Sequence, residues 1–147
     1  MRKVLLIIFM VFFSCASGID MQRIAEESQF SGEDKNVKVF IKIAPLGVLS
    51  GYFAHITVYN GGKEPIQMDA NSDWFYVFND EGRFRIVPLT ETPEIQIQYP
   101  DYINAGDFSE VYCKLPENVS PESVEKFQIV VNFRTVNIEA TRNTEAQ

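Results

Sequence analysis

A chain of 147 residues has room for one domain with short tails. Its hydrophobic share of 46% can fill one core, and its net charge of −7 speaks against nucleic acid, whose binders are basic along one face. Acidity of this size serves solubility first.

The chain begins with the basic pair Arg2-Lys3 and the unbroken apolar run from Val4 to Phe13. Small residues follow as Ser14-Cys15-Ala16-Ser17-Gly18, the layout of a secretory signal rather than part of a fold. A membrane-crossing helix needs about 20 apolar residues, and this run is roughly half that length. Two processing routes are open. Cleavage after Ala16 releases a soluble secreted domain with a structural or accessory role. Alternatively, Phe12-Phe13-Ser14-Cys15 resembles a bacterial lipobox, with Phe residues where Leu and a small residue are usual. That resemblance implies residues 1–14 as a lipoprotein signal and acylated Cys15 as a membrane anchor. On either route Cys113 has no disulfide partner, so the fold stands on its core.

Residues 15–35 are polar and unpatterned, with scattered apolar side chains and the acidic stretch Glu26-Glu27, and read as a flexible tether. A short helix around Met21–Glu27 is compatible with the letters. From Val37 to Ile43 apolar and polar residues alternate, as in a half-buried strand. Pro45 ends it. Tyr52 to Tyr59 alternates again, and Asn60-Gly61-Gly62 supplies residues that tolerate positive φ, so this stretch reads as a strand, a hairpin turn and a return strand from Pro65 to Met68. Trp74–Phe78 and Arg83–Val87 flank Asn79-Asp80-Glu81-Gly82 as a second hairpin.

Glu94 to Tyr99 alternates up to Pro100, and Ala105-Gly106-Asp107 turns into a strand from Phe108 to Leu115. Phe127 to Arg134 is the most apolar run and belongs at the centre of a sheet, with Val136 and Ile138 as an extension. Residues 140–147 form a polar tail. About seven to eight short strands without a convincing helix describe an all-β antiparallel sandwich over 36–139.

The order of landmarks resembles the small immunoglobulin-like domains of bacterial extracytoplasmic lipoproteins. The matching residues are Phe53 to Asn60, Pro65, Trp74 to Gly82, Asn104 to Asp107, Leu115-Pro116 and Phe127 to Phe133. Ala105-Gly106 stands where such domains usually carry Pro-Gly. The resemblance implies an immunoglobulin-like β-sandwich and no catalytic residues.

Candidate chemistry is thin. Asp69, Asn71 and Asp73 have the alternating oxygen spacing that opens a calcium loop, with Asp80 as the closing carboxylate. Trp74 stands where such a loop needs Gly, so a polar turn explains the same residues. His55 is the sole histidine, without a second His or a Cys nearby to build a zinc site, and no nucleophile motif accompanies it. Cys113 lies among Val111 and Leu115 as a core thiol. Glu91 and Glu94 form a loop acid pair without a sugar-binding frame, and hydrolytic chemistry lacks every supporting motif. No cofactor is implied.

The aromatic strand is the most suggestive feature. Trp74, Tyr76 and Phe78 share one face, with Phe75 and Val77 on the other. One face fills the core and the other meets a partner or is covered. The expectation is a non-catalytic module that binds a protein or another envelope component, with Trp74, Tyr76, His55 and Tyr59 as contact residues.

Overall fold

A computed structural model describes residues 21–45, 47, 51–90 and 97–144 of the chain. A short helix covers 21–27 (α1), and ten strands follow. They are β1 (Phe30–Asp34), β2 (Val37–Pro45), β3 (Tyr52–Asn60), β4 (Ile66–Gln67), β5 (Trp74–Asn79), β6 (Gly82–Ile86), β7 (Tyr102–Ile103), β8 (Phe108–Lys114), β9 (Lys126–Val131) and β10 (Val136–Arg142). Eight form one antiparallel sheet in the order β6-β5-β9-β10-β1-β2-β3-β8, while β4 and β7 pair separately.

The large sheet curls on itself into an all-β sandwich. Strand alternation makes this possible, because each strand sends every second side chain inward. Val37, Val39, Ile41 and Ile43 of β2 face Ala54, Ile56 and Val58 of β3 on the inner side, and all are buried. Phe75 and Val77 of β5, Phe127 and Ile129 of β9 and Ile138 of β10 join them in one continuous core. The curl also brings the sheet's two ends together. Beyond β6, Pro88 bridges Cys113, and the Leu89 N–H donates to the Tyr112 carbonyl at 2.6 Å.

Four sequence expectations are corrected. The segment read as a tether carries α1 and then β1, which lies between β10 and β2 inside the sheet. Phe30 is wholly buried and packs edge-on against Phe127 at 5.0 Å. One buried aromatic in a polar stretch has no period to reveal it.

The turn at Asn60-Gly61-Gly62 does not fold β3 back on itself. Both edges of β3 are taken, by β2 over nine residue pairs and by β8 over seven, so a return strand has no ladder to join. Ile66 and Gln67 pair with Ile103 and Tyr102 instead. Gly61 is required by proximity, since a Cβ there would lie 2.9 Å from the Asn36 carbonyl oxygen.

The last apolar run is two strands. β9 ends at Val131, and Asn132, Phe133 and Arg134 turn through left-handed φ of 55°, 52° and 67°. β10 then returns to pair with β9, so Val136 and Ile138 do not extend it and Ala140 of the supposed tail is fully buried. Finally, residues 97–99 lie outside any strand, while the first part of the expected strand from Glu94 lies outside the described residues. The Trp74–Asn79 and Gly82–Ile86 hairpin has the expected form, with a two-residue turn at Asp80-Glu81.

Candidate functional site

The outer face of β5 carries the candidate site. Phe75 and Val77 are fixed inward by the core, so strand alternation turns Trp74, Tyr76 and Phe78 outward as a half-exposed row. The neighbouring strands set cations beside the rings. In register, Phe78 lies between Arg83 and Lys126, and Tyr76 between Arg85 and Gln128.

Each ring carries a cation. The Lys126 ammonium lies 4.9 Å from the Phe78 centroid, the Arg83 guanidinium 4.5 Å from Tyr76 and the Arg134 guanidinium 3.9 Å from Trp74. Trp74 and Tyr76 also meet edge to face at 6.5 Å. A guanidinium stacked on a ring uses its flat face and keeps its in-plane N–H donors for a carboxylate or phosphate. Lys126 already has an acid, Glu139, at 3.1 Å. Among the described residues, Arg83, Arg85 and Arg134 have none.

The β9–β10 turn is part of the same surface. Its three successive left-handed residues are unusual for side chains other than Gly, and such backbone collects at functional positions. Asn132 holds the turn through its Nδ2 to Thr135 Oγ1 at 3.0 Å and by accepting the Gln67 N–H at its Oδ1, also at 3.0 Å. The result presents Phe133, 60% exposed, and lays Arg134 on Trp74. This face combines half-exposed aromatic rings with the cations Arg83, Arg85 and Arg134.

His55 and Tyr59 belong to another surface. They lie on β3, separated in sheet order from β5 by β9, β10, β1 and β2. His55 stacks on Tyr112 with centroids 4.6 Å apart and rings within 4° of parallel. Its Nε2 lies 3.1 Å from Glu110 Oε1, yet makes no aligned hydrogen bond and is shielded from solvent. Ile24 and Glu27 of α1 share a small crevice with His55, so the helix covers part of this face. Tyr59 leans over Gly61, where a Cβ would meet its ring at 3.2 Å. The four expected contact residues therefore form two patches rather than one site.

The calcium reading is also corrected. Asp69 closes a polar turn, accepting the Asn71 N–H at 3.0 Å and the Ser72 hydroxyl at 2.9 Å, and these bonds hold its carboxyl below the ordinary range. Asp73 is buried and accepts from the Asp69 N–H at 3.0 Å and from the Tyr99 hydroxyl. Asp80 sits at the far end of β5, roughly 20 Å of extended chain away at about 3.3 Å per residue. Among the described residues no group of three or more His, Cys, Asp or Glu side chains is placed to hold a metal.

Cys113 is fully buried, and burial pushes its thiol well above its ordinary value. Cys15, Glu91 and Glu94 lie outside the described residues. A cleft of about 620 Å³ opens beside α1, lined by Gln22, Glu26, Phe40, Arg142 and Asn143. None of the expected contact residues lines it.

Sequence reasoning named Trp74 and Tyr76 but not the arginines beside them. Arg83-Phe84-Arg85 alternates within a hairpin whose register puts both cations opposite the aromatic row, so that signal was present. Arg134 was beyond reach, because its place depends on the turn that ends β9. Comparison with known proteins gives no match to a family model, a curated protein or a solved structure.

Proposed function

We propose that the protein is a non-catalytic recognition module, held outside the cytoplasmic membrane by acylated Cys15, that binds a protein or other envelope component through the outer face of β5. The row of Trp74, Tyr76 and Phe78, each beneath a cation, is the observation that carries this reading. The aromatic and arginine content matches what contact surfaces favour. The lipobox resemblance around Cys15 and the immunoglobulin-like resemblance over 36–139 support the anchored, extracytoplasmic setting. The reactive side chains support a non-catalytic role: Cys113 is sealed in the core, and His55 is stacked on Tyr112 beneath α1.

Trp74 is the single tryptophan of the chain and therefore reports on its own surface. Titrating the purified protein with isolated bacterial envelope should shift Trp74 emission and carry the protein down on sedimentation. Tyr76→Ala and the double variant Trp74→Ala/Tyr76→Ala should weaken capture at least about tenfold, since residues at the centre of a contact cost about 2 kcal/mol or more when truncated. Their near-ultraviolet dichroism and unfolding midpoints verify that the fold survives. Envelope capture unchanged in both variants would remove this face from the function.

A further inference from the structure

We propose that the edge of β6 at Arg83 and Arg85, unpaired among the described residues, is a docking strand for an extended acidic peptide segment of a partner protein, which joins the sheet antiparallel through main-chain hydrogen bonds and sets carboxylates against Arg83 and Arg85. This rests on the recognition reading of the β5 face and names the chemistry of its partner.

Main-chain direction comes first. The Glu125 N–H donates to the Phe78 carbonyl at 2.8 Å, so the main-chain groups of Phe78 point toward β9. Alternation along an antiparallel ladder turns Tyr76 the same way and turns Val77 and Phe75 toward β6. Their partners there are Phe84 and Ile86. The N–H and C=O groups of Arg83 and Arg85 therefore point away from β5. β6 ends the sheet order, β8 takes the continuation of this edge at Pro88 and Leu89, and among the described residues nothing pairs with the main-chain groups of Arg83 and Arg85 themselves.

Side-chain chemistry then selects the occupant. Arg83 and Arg85 are exposed on the outer face, two residues apart, and have no carboxylate among the described residues. Two guanidiniums on one strand, without a carboxylate among the described residues, stand out in a chain of net charge −7. Stacking on Tyr76 pre-orders the Arg83 head and leaves its in-plane donors available. A residue directly opposite in an added strand brings its Cβ within about 5 Å, so alternate acidic residues would face Arg83 and Arg85 in turn. Val87, 64% exposed, adds an apolar contact just beyond the edge.

A second copy of this chain fits poorly. Antiparallel pairing of two β6 strands about Phe84 sets Arg83 opposite Arg85 twice, and like charges directly opposite are destabilising. The edge is thus guarded against itself and open to an acidic strand. Neutral sugars are also disfavoured, because cations already cover the rings on which they would stack.

Fluorescence anisotropy of a labelled octapeptide of alternating Glu and Val, with the Lys-Val counterpart as control, tests the proposal on the full chain. The Glu peptide should bind, the Lys peptide should not, and affinity should fall as salt rises. Arg83→Glu and Arg85→Glu should each weaken binding at least about tenfold, with the unfolding midpoint verifying the fold. In antiparallel docking, N-methylation of the Glu amides should abolish binding, whereas N-methylation of the Val amides, which point away from β6, should not.

Glu-peptide affinity indifferent to either arginine variant, or to methylation of the Glu amides, would overturn the docking strand. Arginine-dependent binding of polygalacturonate without peptide binding would reassign the edge to an acidic glycan and likewise overturn it. Envelope capture that persists while the peptide fails to bind removes the acidic strand and keeps the recognition face. Loss of both removes both.

Discussion

Asp73 is held under opposing physical demands. Its carboxyl is buried, one oxygen accepts from Tyr99 and from the Asp69 N–H, and the other, Oδ1, has no hydrogen-bond partner. Burial raises its pKa, against the lowering effect of the two hydrogen bonds. The folded state therefore favours the protonated acid. A group whose folded pKa is raised contributes stability that is complete below its unfolded value and is lost as pH rises through the folded value. For Asp73 that loss begins near 3.8 and ends above its raised folded value. Urea unfolding at pH 4 and pH 7 should show the wild type losing stability relative to Asp73→Asn as pH rises across that window. Equal curves would remove the burial argument. Tyr99→Phe should cost about 1–3 kcal/mol, the penalty for taking away one partner of a buried polar group.

Residues of this kind mark where sequence reading stops. Asp69 and Asp73 were visible as a polar turn, and Cys113 as a core thiol, because both follow from nearby letters. The Tyr99 contact to Asp73 was not visible. Residues 97–99 alternate like a strand, and only the fold reveals that they lie outside any strand, with the Tyr99 hydroxyl on Asp73 in the turn before β5.

Element by element, strong alternation was enough for β2, β3, β5, β6 and β8, where inward and outward residues differ sharply in polarity. It failed for β1. Phe30-Ser31-Gly32-Glu33-Asp34 has one large apolar residue and reads as loop, yet β10 and β2 hold it as an interior strand. Gly32 shows the tightness of that fit, because a Cβ there would stand 2.2 Å from the Glu139 carbonyl oxygen. Phe30→Ala should destabilise by about 3–5 kcal/mol, the range for deleting a buried aromatic side chain. A tether residue at that position would change the denaturant midpoint by nothing measurable. Strand identity in β1 comes from its neighbours, since most of its own side chains contribute little burial.

For the whole molecule, the sheet order weaves distant segments together. β1 near the start of the described chain lies beside β10 near its end, and β6 and β8 approach through the Pro88–Cys113 bridge. Such pairing is largely non-local, which places the protein among slower-folding β topologies. An anchor at Cys15 would stand five residues (16–20) ahead of α1 in the sequence. Intact mass of the mature protein, made in a lipoprotein-processing bacterium with Cys15→Ala as control, should show an acylated Cys15 and membrane partitioning lost together in the control. A chain beginning at Ser17 and free in the aqueous phase would overturn the anchored reading.

The sequence by itself determined the all-β class, the inward and outward faces of the strongly alternating strands, and the aromatic row at Trp74, Tyr76 and Phe78. Each depends on period-two placement within a few residues, which a linear chain displays directly. Tertiary structure alone decided that β3 pairs on both sides and cannot form the expected hairpin, that β1 belongs to the sheet, and that His55 and Tyr59 lie apart from Trp74. It also decided which cations cover the rings. Those outcomes depend on which segments compete for each ladder, and that competition is settled between residues far apart in the chain.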